Sequence, residues 1–237
     1  MGRTKQLAFW ALVLVALTAL FELTDLDLSV QDHLFHFETG RWLVDRNAPV
    51  LKFLFYTGIK GALIAFGVSL LWQYGRSLVT RNRDGAGEQL ARQRYLMVIL
   101  SLMFIPGTIA GLKAVTHMYC PSQIERYGGD KPYIKLFDAY PETCARCNSG
   151  RCYPAGHASG GFSLLVLAHV FRKRSYKLAG LGVGLGLGWA MGGYQMMKGA
   201  HFLSHTLVTM IIAWMMSLCL VEVARRVHPA PDTGATP

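Results

Sequence analysis

Of the 237 residues, 52% are hydrophobic and only 16% are charged, against about 25% in an ordinary soluble domain, so the apolar excess is more than one water-surrounded core would bury. The net charge of +10 would suit nucleic acid if the cations were clustered. They alternate between loops instead, as membrane topology requires, which excludes nucleic acid as a partner and makes the bilayer the expected solvent.

A transmembrane helix needs roughly 20 mostly apolar residues, and six stretches qualify. The first covers 7–21 and follows Arg3 and Lys5, a start that a secretory signal also shows. Glu22, Leu23, Thr24 and Asp25 stand where a small-residue cleavage site would be, so an uncleaved anchor is expected. The others cover 51–72, 95–115, 158–171, 178–197 and 203–223, the fourth being short and expected to begin a few residues earlier. Lys60 lies inside the second stretch, where a buried cation is a functional candidate, although internal pairing explains it equally well. Pro106 and Gly107 are expected to kink the third. The fifth carries Gly180, Gly182, Gly184, Gly186, Gly188, Gly192 and Gly193, which in an apolar run with no preceding strand read as helix packing rather than a phosphate loop.

The fold expected is therefore an all-α, polytopic six-transmembrane-helix bundle, one domain over 1–227 with a disordered cytoplasmic tail over 228–237. Basic residues mark the cytoplasmic side: Arg3, Lys5, Arg76, Arg92, Arg94, Arg172, Lys177, Arg225 and Arg226 among them. The opposite loops, 22–50 and 116–157, hold most of the acids, so both termini are expected inside. Four of the five cysteines, Cys120, Cys144, Cys147 and Cys152, fall in the second outward loop, where disulfides persist. The pairing is open, and a four-cysteine zinc site is the alternative.

Three outward clusters carry chemistry. Lys113 leads to Cys120-Pro121 and on to Arg126-Tyr127-Gly128-Gly129; Pro154-Ala155-Gly156-His157 opens the fourth helix; Lys198-Gly199-Ala200-His201 runs on to His205 at the fifth-to-sixth turn. A small-residue helix entry such as Ala155-Gly156 presents unpaired amides and a positive helix end, and Lys113, Arg126 and Lys198 add full charges, which together imply an anionic substrate and suit phosphate. His157 and His201 then divide phosphoryl transfer, one attacking phosphorus and the other protonating the departing oxygen. His205, four residues after His201, falls on the same helical face and is placed to orient it. His33, His36, His117 and His169 are read as ordinary polar residues.

These clusters resemble the type 2 phosphatidic acid phosphatase superfamily, six-helix lipid phosphatases and phosphotransferases. Its pattern is Lys, six residues, Arg-Pro; then Pro-Ser-Gly-His; then Ser-Arg, five residues, His, three residues, Asp. Lys113 and Cys120-Pro121, Pro154 to His157, and His201 with His205 follow the order and spacing. Cys120 replaces the first arginine, Ala155 the serine, Gln195 the second arginine and His205 the aspartate. The Cys-Pro, Arg-Tyr-Gly-Gly and Gly-Ala-His-Phe-Leu-Ser-His segments are similar to those of a divergent bacterial branch. The resemblance implies a bacterial inner-membrane phosphatase facing the periplasm, with His201 as nucleophile, His157 as acid and no metal or other cofactor. The substrate implied is a membrane lipid phosphate or pyrophosphate, with lipid A, undecaprenyl pyrophosphate, phosphatidylglycerol phosphate and phosphatidic acid all open. The alternatives are a lipid phosphotransferase with the same intermediate, a non-catalytic lipid-binding or transport member, a disulfide-generating redox protein, and a zinc hydrolase using His201, His205 and either His157 or His117.

Overall fold

The computed structural model describes residues 2–79, 86–141 and 150–229. Helix α1 (Arg3–Leu23) is apolar on all sides and buries only Phe21, leaving Phe9, Leu12 and Val15 outward, as a helix bathed in lipid does. A second, short helix, α2 (Leu26–Asp32), and a two-stranded hairpin, β1 (Phe35–His36) with β2 (Arg41–Trp42), follow, Phe35 pairing with Trp42. Next, α3 (Pro49–Lys52) runs through a π-helical turn, Phe53–Gly58, into α4 (Ile59–Val79). Helix α5 (Ala86–Val115) continues through Pro106 without ending, and Ile105 and Ile109 beside it are fully buried. The chain then makes 3-10 turns at Pro121–Gln123 and Glu125–Tyr127 before α6 (Gly156–Phe162), a 3-10 stretch Ser163–Val166, α7 (Leu167–Val170), α8 (Arg174–Met197) and α9 (Leu203–Val227).

The protein is thus all-α in character, and among the described residues four helical stretches are long and apolar enough to cross a membrane: Arg3–Leu23, Pro49–Val79, Gly87–Val115 and Leu203–Val227. The stretch expected as one helix over 158–171 begins earlier, at Gly156, and is broken into α6, a 3-10 segment and α7. Helix α8 has the length of a span, 24 residues, but its glycines dilute its apolarity. His228 is tied down, its ring meeting the Tyr74 hydroxyl at 2.8 Å and its carbonyl accepting from Gln93. Residues 230–237 of the expected tail lie outside the described residues.

The glycines of α8 have the packing role expected of them, but only along one row. A Cβ on Gly184 would stand 2.6 Å from the backbone of Leu165, and one on Gly188 would stand 2.1 Å from the Phe162 ring, whereas Gly182 and Gly186 face open space. The every-fourth spacing of 180, 184 and 188 puts one bare stripe against α6 and α7, so the irregular fourth segment lies directly on the α8 backbone. Gly188→Leu is expected to cost at least about 1–3 kcal/mol by overpacking, read as a lowered unfolding temperature, while Gly186→Leu leaves it unchanged.

Candidate active site

The site is built where the ends of α5 and α8 meet the starts of α6 and α9. Helix α8 stops because Gly199 takes a left-handed conformation, φ +72°, with its N–H returning to the Met196 carbonyl and that of Ala200 to Gln195. A side chain could not replace it: a Cβ there would lie 2.3 Å from the Trp42 ring. The reversal drives His201 inward, where it is 3% exposed, just ahead of α9 rather than within it. His205 follows in the first turn of α9, fully buried between the rings of Tyr153 and Phe202. The two Nδ1 atoms face each other at 3.4 Å, so the expected pairing is made although only one of the two residues is helical.

His157 enters from the other side, in the first turn of α6. Its ring centroid is 6.2 Å from that of His201 and 4.7 Å from Tyr56. Two hydrogen bonds latch the histidine-bearing elements together: the Ala155 N–H donates to the His205 carbonyl at 3.1 Å, and Thr209 Oγ1 donates to the Ala155 carbonyl at 3.3 Å. A disulfide between Cys120 and Cys152 joins the segment leaving α5 to the one entering α6. Closing a loop of that sequence separation, 32 residues, removes chain entropy worth about 3–4 kcal/mol from the unfolded state. Cys144 and Cys147, the other two disulfide candidates, lie outside the described residues.

The anion-binding groups expected from the sequence divide. Lys113 stands over the first turn of α6, its Nζ 3.7 Å from where a Gly156 Cβ would be. Lys198 lies over the rings of Tyr194, at 4.8 Å, and Tyr56, at 5.5 Å, and so borders His157 through Tyr56. The Ala155 amide is already used on His205, leaving the α6 amides beyond it. Arg126 does not reach the cluster: its guanidinium forks onto Asp32 at 2.8 and 2.6 Å. That pairing holds the Asp32 carboxyl below the usual carboxylate range. The sequence expected a phosphate contact of Arg126; the contact the structure gives it is this surface ion pair.

Sequence reasoning missed the groups that hold the site from above. Asp27, 2% exposed, accepts the Ser204 N–H at 2.8 Å and the Ser204 hydroxyl at 2.5 Å, filling the orphan donors at the start of α9. Gln31 donates to the Met196 carbonyl at 2.9 Å, at the end of α8. Asp27 and Ser204 are 177 residues apart, and no local pattern in either segment signals the other. Tyr56 was also missed, being one aromatic among many in an apolar stretch.

From His157 a cavity of about 490 Å³ descends between α4, α5 and α6. Its upper wall is polar, with Tyr56, Lys60, Lys113, Gly156 and His157, and its stem is apolar, with Leu63, Ile64, Val68, Leu71, Leu102 and Met103. Lys60 therefore belongs to the cavity. The Cys152 sulfur and ring nitrogens of His201 and His205 lie within 4.8 Å of one another, close enough for a metal ion. Cys152 is, however, committed to its disulfide, and only a thiolate is a metal ligand. With the disulfide closed, two imidazoles remain, and the fit to a metal is poor.

The family model described as the PAP2 superfamily matches residues 94–228, which runs from within α5 through α9 and takes in His157, His201 and His205. No curated protein and no solved structure matches the chain.

Proposed function

Because the chain belongs to the PAP2 superfamily, we propose that it is an integral membrane phosphatase that removes phosphate from a lipid phosphate or diphosphate through a phosphohistidine on His201. The observation that carries this reading is the cavity, whose polar head holds His157 and Lys113 and whose apolar stem matches an acyl or prenyl chain. The wall made by the π-helical turn and α4 repeats at Tyr56, Lys60, Leu63, Ile64, Val68 and Leu71, one helical stripe roughly 22 Å long at 1.5 Å per residue. A lipid fits that outline, and a free sugar phosphate would leave the stem empty.

His201 Nδ1 faces His205, so Nε2 is the atom that attacks phosphorus. The N–P bond forms as the bond from phosphorus to the lipid oxygen breaks, and His157 gives that oxygen a proton. Lys113, Lys198 and the free amides of α6 neutralise charge on the equatorial oxygens. In the second half His157 takes a proton from water, the oxygen of which attacks phosphorus, and inorganic phosphate leaves with His201 restored. The three lysines, Lys60 included, supply the positive charge that Cys120 and Gln195 do not.

Six crossings, with α6 to α7 and α8 completing the four long spans, put both termini in the cytoplasm and the histidines at the outer face of a bacterial inner membrane. The alternation of basic and acidic loops supports this orientation. A reporter fused after Pro237 is expected to be cytoplasmic; a reporter active only outside would reverse it.

The lipid reading is tested by plugging the stem. Gly67 lines it, and a Cβ there would meet only Leu102, at 3.6 Å. Gly67→Trp is expected to lower kcat/KM for long-chain lipid phosphates by roughly tenfold or more and to spare a short soluble phosphate ester. Equal losses on both substrates would remove the lipid assignment.

A further inference from the structure

The end of the bundle away from His157 and His201 holds a second cavity, about 470 Å³, between α5, the start of α8 and the last turn of α9. The charged groups in its lining, Arg94, Arg172, Lys177 and Arg225, are all cationic. Arg94 lies 19 residues before Lys113 on the same helix, which at 1.5 Å per residue sets this cavity roughly 28 Å from the site described above.

Among the described residues, the nearby acids are already taken. Glu222 holds both Arg3 and Arg226, and Glu88 pairs with Arg92. The four cavity cations have no ion-pair partner among the described residues. Topology alone explains basic side chains that reach into water at this end, as Arg172, Lys177 and Arg225 do. It does not explain Arg94, whose Nε is buried without a hydrogen-bond partner, nor the buried, unpartnered Nε2 of His169 in the same wall. An arginine stays charged, and a guanidinium with donors to spare is matched best by the paired oxygens of a phosphate. Apart from Gln93, which is spent on the His228 carbonyl, the remaining wall is apolar, with Leu90, Met97, Val170 and Phe171, which a free ion does not need and the glycerol and upper chains of a lipid do.

We propose that this cavity binds the phosphodiester headgroup of an anionic phospholipid from the leaflet opposite the catalytic histidines. Basic pockets between transmembrane helices suit such headgroups. The lipid held there is out of reach of His201 and is not turned over. This site stands on the spanning of the bundle and is independent of the phosphatase reading.

The test uses the full chain in phosphatidylcholine nanodiscs, with phosphatidylglycerol titrated in and binding followed by native mass spectrometry and by the unfolding midpoint. Phosphatidylglycerol is expected to bind and raise the midpoint, and added phosphatidylcholine to do neither. Arg94→Gln and Arg225→Gln are each expected to weaken phosphatidylglycerol binding by about fivefold, the equivalent of about 1 kcal/mol per cation. Arg172→Gln with Lys177→Gln, both at exposed positions, gives a second variant in case the partly buried Arg94 is needed for folding. The unfolding midpoint in pure phosphatidylcholine reports the fold, and it is expected to be unchanged in the variants scored for binding. Equal binding of the two lipids, or variants that bind phosphatidylglycerol as the parent does, would overturn the proposal. Inorganic phosphate is the competing arm: full displacement of the lipid by it would assign the cavity to a free anion and overturn the headgroup.

Discussion

His201→Ala is expected to abolish phosphate release, and His157→Ala to slow it by about 10²–10⁴-fold on a lipid substrate. The two losses differ in kind. Without the imidazole at 201 there is no atom to accept the phosphoryl group, because Nδ1 of His205 faces His201 and its ring is enclosed by Tyr153 and Phe202. Without the imidazole at 157 the attack still takes place, but the departing oxygen gains no proton and the attacking water loses none. A substrate whose leaving group needs no proton, such as a nitrophenyl phosphate, is therefore expected to phosphorylate His157→Ala at near the parent rate. The phosphoenzyme then accumulates, since its hydrolysis lacks a base. Labelled phosphate retained in alkali and lost in acid on His157→Ala, and absent from His201→Ala, is the measurement. Parent-level turnover in both variants would end the histidine mechanism.

The second large effect is expected at Asp27, which touches no substrate. Burial pushes its carboxyl up to about 6, with the Ser204 hydrogen bonds and the positive charge of Lys135 pulling the other way. The ordinary value is 3.8, so the folded protein holds this proton more tightly than the unfolded chain does. Its contribution to stability is complete below about pH 4 and is lost as pH rises through about 6. A shift of about two units corresponds to about 3 kcal/mol. Asp27→Asn cannot ionise and is expected to lack this slope, so its stability relative to the parent improves by up to about 3 kcal/mol between pH 4 and pH 7. Chemical unfolding of both proteins across that range checks it. Parallel curves would show that the carboxylate is not held against the end of α9 as described.

Asp27 also shows why part of the site was not legible in the sequence. Lys113, His157 and His201 each sit in a short run with its own local logic: a cation at a helix end, a small-residue helix entry, a glycine-terminated helix. Such logic is readable one segment at a time, and it located the three groups that line or border the cavity head. Arg126 had the right charge and a plausible place in the chain. Its partner is Asp32, 94 residues away, which no reading of the Arg-Tyr-Gly-Gly segment anticipates. Lys60 presents the reverse case: an isolated lysine in an apolar stretch is ambiguous until the helices around it show whether it faces lipid, a partner or a cavity.

The sequence by itself determined that the chain is helical and membrane-bound, where most helices run, and which histidines deserve attention, because hydropathy, charge alternation and helix-end chemistry are properties of contiguous residues. Only the tertiary structure decided that Cys120 pairs with Cys152, that α6 and α7 lie on the bare stripe of α8, that Asp27 and Gln31 hold the α8–α9 turn, and that a cavity with an apolar stem leads to His157. Each of these depends on residues far apart in the chain meeting at a few ångströms, and that meeting is set by how whole helices pack rather than by any local preference.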